Sequence, residues 1–175
     1  MLDEACAQLR TWADAGHTDL RLSVNVSLRQ LREPGFVDDV RAVLTRHDPR
    51  PGQLVLEFSE SIFALDPPVV SERLRALHDV GIRIAMDDFG TGFSSLSYLQ
   101  KLPLDVLKID KSFVDELGEG NQGAIVSLAR SLRLAVVAEG IKRPAQRDAL
   151  WSRGAAWVRG SSAPALSGRT GWRPC

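Results

Sequence analysis

Short β-forming stretches alternate along this chain with segments of helical periodicity, and that alternation limits the possible folds more than any other feature. Strands are read at Leu20–Val26, Leu54–Phe58, Ile82–Asp87, Leu104–Ile109, Leu134–Glu139 and Ala156–Arg159. In the first, Leu20, Leu22, Val24 and Val26 alternate with polar residues, the mark of a strand with one buried face. A helix is read on Leu2, Ala5, Leu9 and Trp12, with Asp3 and Glu4 at the positive end of its dipole. A second is read after Pro34 on Phe36, Val37, Val40, Val43 and Leu44, with the proline in its first turn. Others are read at Pro68–Val80, Ser95–Gln100, Gly123–Leu132 and Pro144–Arg153, with Gly81 and Gly154 as helix stops. Strand–helix units in series predict an α/β fold with a mainly parallel sheet and right-handed crossovers.

Two architectures satisfy that pattern. A closed β/α barrel has eight strands. Six are readable here and the chain opens on a helix, so a barrel would be incomplete at its N-terminal end. An open doubly wound sheet is the other solution, and the pattern alone does not separate them. No linker, low-complexity stretch or internal repeat divides the chain, so a single domain is expected over residues 1–166, with a tail over 167–175.

Composition excludes several function classes. With 44% apolar and 25% charged residues in a chain of 175, the sequence can bury a core. Lys plus Arg and Asp plus Glu balance at 22 each, which gives no footprint for a nucleic-acid polymer or an anionic membrane. Apolar runs such as Leu134–Ala138 are far too short for a membrane segment, and the acidic start Met1-Leu2-Asp3-Glu4 is unlike a signal peptide. Cys6 and Cys175 have no metal-ligand or redox spacing. A cytoplasmic location is the default expectation. His17, His47 and His78 are read as surface residues.

Polar residues fall at the ends of the predicted strands: Asn25, Glu57, the pair Asp87-Asp88, Lys108 with Asp110, Glu139 and Arg159. Ligands and chemistry gather at the carboxyl ends of parallel strands in such folds. Carboxylates crowded there repel, two charges 4 Å apart costing about 4 kcal/mol at an effective dielectric of 20. A counter-charge is therefore required. Oxygen donors from Asn25, Glu57, Asp87, Asp88 and Glu139 suit hard cations such as Mg²⁺, Mn²⁺ or Ca²⁺ rather than zinc, and an Asp pair can bridge two metals in phosphoester hydrolysis. Lys108 can orient a water or offset charge on a leaving oxygen.

These residues resemble the EAL family of cyclic di-GMP phosphodiesterases over almost the whole chain. The resemblance is carried by Asn25-Val26-Ser27 with Arg29-Gln30-Leu31, then Leu56-Glu57-Phe58-Ser59-Glu60-Ser61 and the loop beginning Asp87-Asp88-Phe89-Gly90-Thr91-Gly92. Leu107-Lys108-Ile109-Asp110 and Val136-Val137-Ala138-Glu139-Gly140 complete it. It implies a TIM-like barrel that opens cyclic di-GMP to the linear dinucleotide at a two-metal site held by Asn25, Glu57, Asp87, Asp88 and Glu139. It also implies that Lys108 contacts the attacking water, that Glu60 supports the Asp-Asp loop, and that Arg29 and Asp110 bind substrate. Phe89, Gly90, Thr91, Gly92, Ser94 and Ser95 would couple a homodimer to the site. A metal-dependent lyase on a similar barrel is a more distant reading.

The chain also departs from the family pattern. The Glu-Ala-Leu tripeptide and the strand that carries it are absent from the sequence. Lys142-Arg143 follow Ile141 where the family has Glu-Thr, and Arg159-Gly160-Ser161 stand where it has Gln before Gly-Tyr. The Asp110–Glu139 segment is about one helical turn short. Losing a carboxylate and adding cations both weaken divalent-metal binding. The expectation is weak or absent hydrolysis by this chain alone, with Arg159 reaching Glu139 or Glu57; the alternative is a non-catalytic module that binds cyclic di-GMP or a protein. An edge strand at Leu20–Val26 is further expected to promote oligomerisation or poor solubility.

Overall fold

The computed structural model describes residues 1–64, 66–89, 99–110, 127–141 and 157–160, the last two segments by backbone alone from residue 138 onward. Six parallel strands form one sheet in sequence order: β1 (Leu22–Asn25), β2 (Leu54–Ser59), β3 (Arg83–Phe89), β4 (Val106–Ile109), β5 (Ala135–Ile141) and β6 (Trp157–Gly160). The four assigned helices are α1 (Leu2–Asp14), α2 (Leu28–Arg32), α3 (Phe36–His47) and α4 (Pro67–Asp79), and residues 127–131 are helical as well. β1 and β6 are the two edges, and no pairing between them closes the sheet among the described residues.

Strict sequence-order pairing distinguishes this sheet from a doubly wound one, whose strand order reverses at a switch point. Most of the core lies on one face, with Val55 and Ala85 buried on the other. Val24, Leu54, Leu56, Phe58, Ile84, Met86, Leu107 and Val136 are buried in one cluster with Leu9, Leu31, Val40, Leu74 and Leu77 from the helices. Each α1, α3 and α4 stripe recurs at helical spacing and lies against this face.

Local chemistry sets the element ends. Pro67 and Pro68 occupy the first positions of α4, and Gly81 beyond its end adopts φ +87. A Cβ on Gly81 would stand 3.3 Å from Pro51 Cβ, so a side chain there would need both a left-handed backbone and a shift of the proline. Pro34 precedes the N-cap Gly35 of α3 and so lies outside the first turn, one step earlier than the sequence reading placed it.

Two elements were not foreseen. Ser27 and Gln30 form a reciprocal capping box that starts α2, and a 3-10 turn spans Glu60–Ala64. His47 is also corrected: its side chain is only 16% exposed and its Nε2 lies 2.9 Å from Asp3 Oδ1, tying α3 to α1 beside an Arg46–Asp3 pair. The predicted helix at Pro144–Arg153, the stop at Gly154 and most of Ser95–Gln100 lie outside the described residues.

Candidate functional site

Parallel register decides which side chains share a face. Asn25 pairs with Glu57, Glu57 with Ala85, and Ser59 with Asp87. Ala85 pairs with Val106, which is two residues from Lys108, and Lys108 pairs with Val137. Because alternate residues of a strand point the same way, Asn25, Glu57, Ser59, Asp87 and Lys108 belong to one face, opposite the core. All lie at the carboxyl ends of their strands.

A β-bulge just beyond Met86 then changes the parity of the residues that follow Asp87. Met86 pairs with Leu107 and Phe89 with Ile109, so Asp87-Asp88 on β3 oppose the single Lys108 on β4. Plain alternation would send Asp88 into the core and Phe89 onto the polar face. The extra residue reverses that: Phe89 is buried in the core cluster and Asp88 is exposed. Asp88 adopts φ +55, a left-handed conformation that Asp tolerates better than most residues, and its N–H donates to Asp87 Oδ1 at 3.0 Å.

Lys108 Nζ lies 2.9 Å from Glu57 Oε2 and 2.8 Å from Asp87 Oδ2. These side chains are mostly buried, Lys108 being 12% exposed. Burial pushes the ammonium toward deprotonation, but the hydrogen bonds it donates to Asp87 and then Glu57, with the Coulomb attraction of both, outweigh it and hold the lysine above its ordinary value. Lys108 is therefore charged at neutral pH, and with Glu57 and Asp87 ionised the trio carries one net negative charge. The counter-charge required by the sequence is present in the chain itself.

The remaining predicted residues are distributed around this trio. Asn25 is exposed at the end of β1, in register with Glu57. Glu60 is buried, 7% exposed, in the 3-10 turn after β2. Asp110 follows β4 and is partly buried, while Arg29 is exposed on α2. Glu139 and Arg159 lie on adjacent strands, each one residue past the Ala138–Val158 pair, where a second register shift sets Glu139-Gly140 against Arg159. Their side chains, and Gly90, Thr91, Gly92, Ser94, Ser95 and Lys142, lie outside the described residues. Ser59 was missed; it sits two residues beyond Glu57 on the same face, and its Oγ is 2.6 Å from Ser61 Oγ.

Among the described residues no three His, Cys, Asp or Glu side chains lie close enough together to hold a metal ion. The chemistry of the donors still suits a hard cation: they are all oxygens, on a face that stays net negative with Lys108 counted. A groove of about 500 Å³ lined by Arg41, Glu72, Arg75 and Asp79 contains none of the predicted site residues. No helix among the described residues is long and apolar enough to cross a membrane.

A family model described as the EAL domain matches residues 1–163. The bifunctional diguanylate cyclase/cyclic di-GMP phosphodiesterase MucR of Pseudomonas aeruginosa is 43% identical over 165 residues, which is 91% of this chain and 24% of that protein. The chain thus spans about a quarter of that relative's length. A solved structure of the MucR phosphodiesterase in complex with c-di-GMP superposes with TM-score 0.82 at 43% identity, covering 91% of this chain and 66% of the other. The EAL domain of Mycobacterium smegmatis DcpA superposes with TM-score 0.83 at 38% identity, covering 91% and 74%.

Proposed function

This chain belongs to the EAL domain family, and from that premise we propose that its carboxyl-end cluster binds cyclic di-GMP in a site of phosphodiesterase descent that turns over weakly or not at all. The observation that carries the reading is the Glu57–Lys108–Asp87 trio on the polar face of a sequence-ordered parallel sheet. Its relatives supply the ligand class, since the MucR phosphodiesterase structure is a c-di-GMP complex.

Asn25, Glu57 and Asp87, with Asp88 and Glu139, would hold divalent cations, Mg²⁺ or Mn²⁺. Ions bound there would neutralise charge on a phosphodiester. Lys108 places a fixed positive charge beside the same position and holds Glu57 and Asp87 in orientation. Glu60 supports the Asp87-Asp88 segment from the turn after β2, and Arg29 and Asp110 contact the dinucleotide. The domain runs over 1–166 with a tail over 167–175, in the cytoplasm, where a GTP-derived nucleotide is available. The segment from Phe89 to Ser95 would couple a homodimer to the site.

A second reading, binding without hydrolysis, is favoured by the β5–β6 register, in which the backbone of Arg159, a cationic residue type, runs opposite Glu139-Gly140. One experiment addresses both. Calorimetry with cyclic di-GMP in Ca²⁺ is expected to show binding, and incubation with Mn²⁺ is expected to release little linear dinucleotide. Rapid conversion would overturn the weak-turnover claim together with the second reading, and absence of binding by folded protein in either cation would overturn the proposed ligand.

A further inference from the structure

We propose that Asp105 is a positioning residue for this site, pinning β3, β4 and β5 at the level that sets Lys108 between Glu57 and Asp87. The inference rests on reading that trio as the site, but its geometry and its test involve no ligand. Asp105 lies immediately before β4 with its side chain 19% exposed. Its N–H donates to Ile84 O at 2.9 Å, and its Oδ2 accepts from Ile84 N–H at 2.9 Å. Its own carbonyl accepts from Ala135 N–H, also at 2.9 Å. One residue thus bonds the backbones of both neighbouring strands. His78 Nε2, from the last turn of α4, stands 3.7 Å from Asp105 Oδ1.

The side-chain bond has a structural cause. A parallel ladder would satisfy Ile84 N–H with a carbonyl from the residues before Asp105. Those residues turn away, with Pro103 in the chain and Leu104 N donating back to Leu102 O at 2.9 Å. The carboxylate takes the place of the missing carbonyl, so the amino end of the β3–β4 pair keeps its bond instead of fraying.

Distance along the strands links this pin to the chemistry. Asp87 lies three residues beyond Ile84, Lys108 three beyond Asp105, and Glu139 four beyond Ala135. At about 3.3 Å per residue, each is on the order of 10 Å from the pin along one extended strand. A one-residue slip of β4 would turn Lys108 toward the core and present Leu107 or Ile109 to the carboxylates. The β3–β4 pair also contains a bulge, where register is already interrupted, so a tie upstream of it has more to determine than in a regular pair.

The test reads the lysine directly. In ¹⁵N-labelled protein without ligand, the Lys108 ammonium held between two carboxylates is expected to give a resolved, slowly exchanging signal, identified by its loss in K108R. Asp105→Asn keeps an acceptor oxygen and is expected to retain that signal. Asp105→Ala is expected to lose it and to speed exchange of the Ile84 amide about tenfold, the equivalent of one lost hydrogen bond. Val40→Ala, a core truncation on α3 away from β3, β4 and β5, supplies the comparison of destabilisation alone and is expected to keep the signal. Should Asp105→Ala not fold, Asp105→Glu, which retains charge but moves the acceptor, is expected to shift the signal. An unchanged lysine signal in folded Asp105→Ala or Asp105→Glu, or equal loss in Val40→Ala, overturns the proposal.

Discussion

The two faces of the sheet are made by alternate residues of the same strands, yet they hold together by different physics. On one face Leu56, Phe58, Ile84, Met86 and Leu107 are buried against the helices, and their stabilisation follows from apolar area removed from water. On the other, Glu57, Asp87 and Lys108 gain only if all three are present, because each charge has lost most of its water. The apolar face degrades gradually under substitution. The polar face is expected to fail abruptly when one partner goes and to recover when all go together.

Substitutions on each face can break that contrast. Phe58→Ala, at a side chain only 2% exposed, is expected to destabilise by about 4 kcal/mol in urea unfolding. Lys108→Met should cost about 3 kcal/mol by leaving Glu57 and Asp87 facing each other. Combining it with Glu57→Gln and Asp87→Asn should return stability to within about 1 kcal/mol of the original. A triple variant as unstable as Lys108→Met alone would show that the polar face stabilises additively after all.

The pH dependence follows from the raised lysine value. A cation stabilised by folding contributes fully below its unfolded value, about 10.4, and loses that contribution only as pH rises through the higher folded value. The Lys108→Met penalty should therefore be equal at pH 7 and pH 9 in paired urea titrations. The smallest effect is expected at the rim of the polar face: Ser27→Ala removes the α2 cap and should cost about 1 kcal/mol, measurable as a lower urea midpoint.

Much of this was legible in advance, for identifiable reasons. The strand β2 was readable because Leu54–Phe58 is a short β-forming run after Pro51-Gly52, and α4 because Pro67-Pro68 and Gly81 bracket an amphipathic stripe. The helix α2 was passed over because five residues are too few for periodicity, although Ser27 followed by Gln30 is itself a capping signal. His47 was misread because its burial depends on Asp3, 44 residues away. The polar strand ends were found from their positions alone. Their pairing was not, since Lys108 and Glu57 are 51 residues apart and nothing local links them.

The chain order of residues determined what was local: where strands and helices form, which residues close them, and that oxygen-bearing side chains collect at one end of the strands. The folded arrangement decided the rest. A single inserted residue at Asp87-Asp88 reversed the parity of β3, sending Phe89 to the core and leaving Lys108 opposite the acidic pair. Alternation within a strand is set by backbone geometry and can be read one residue at a time. Which neighbour a residue faces is set by hydrogen bonds to another strand, and those exist only once distant parts of the chain have met.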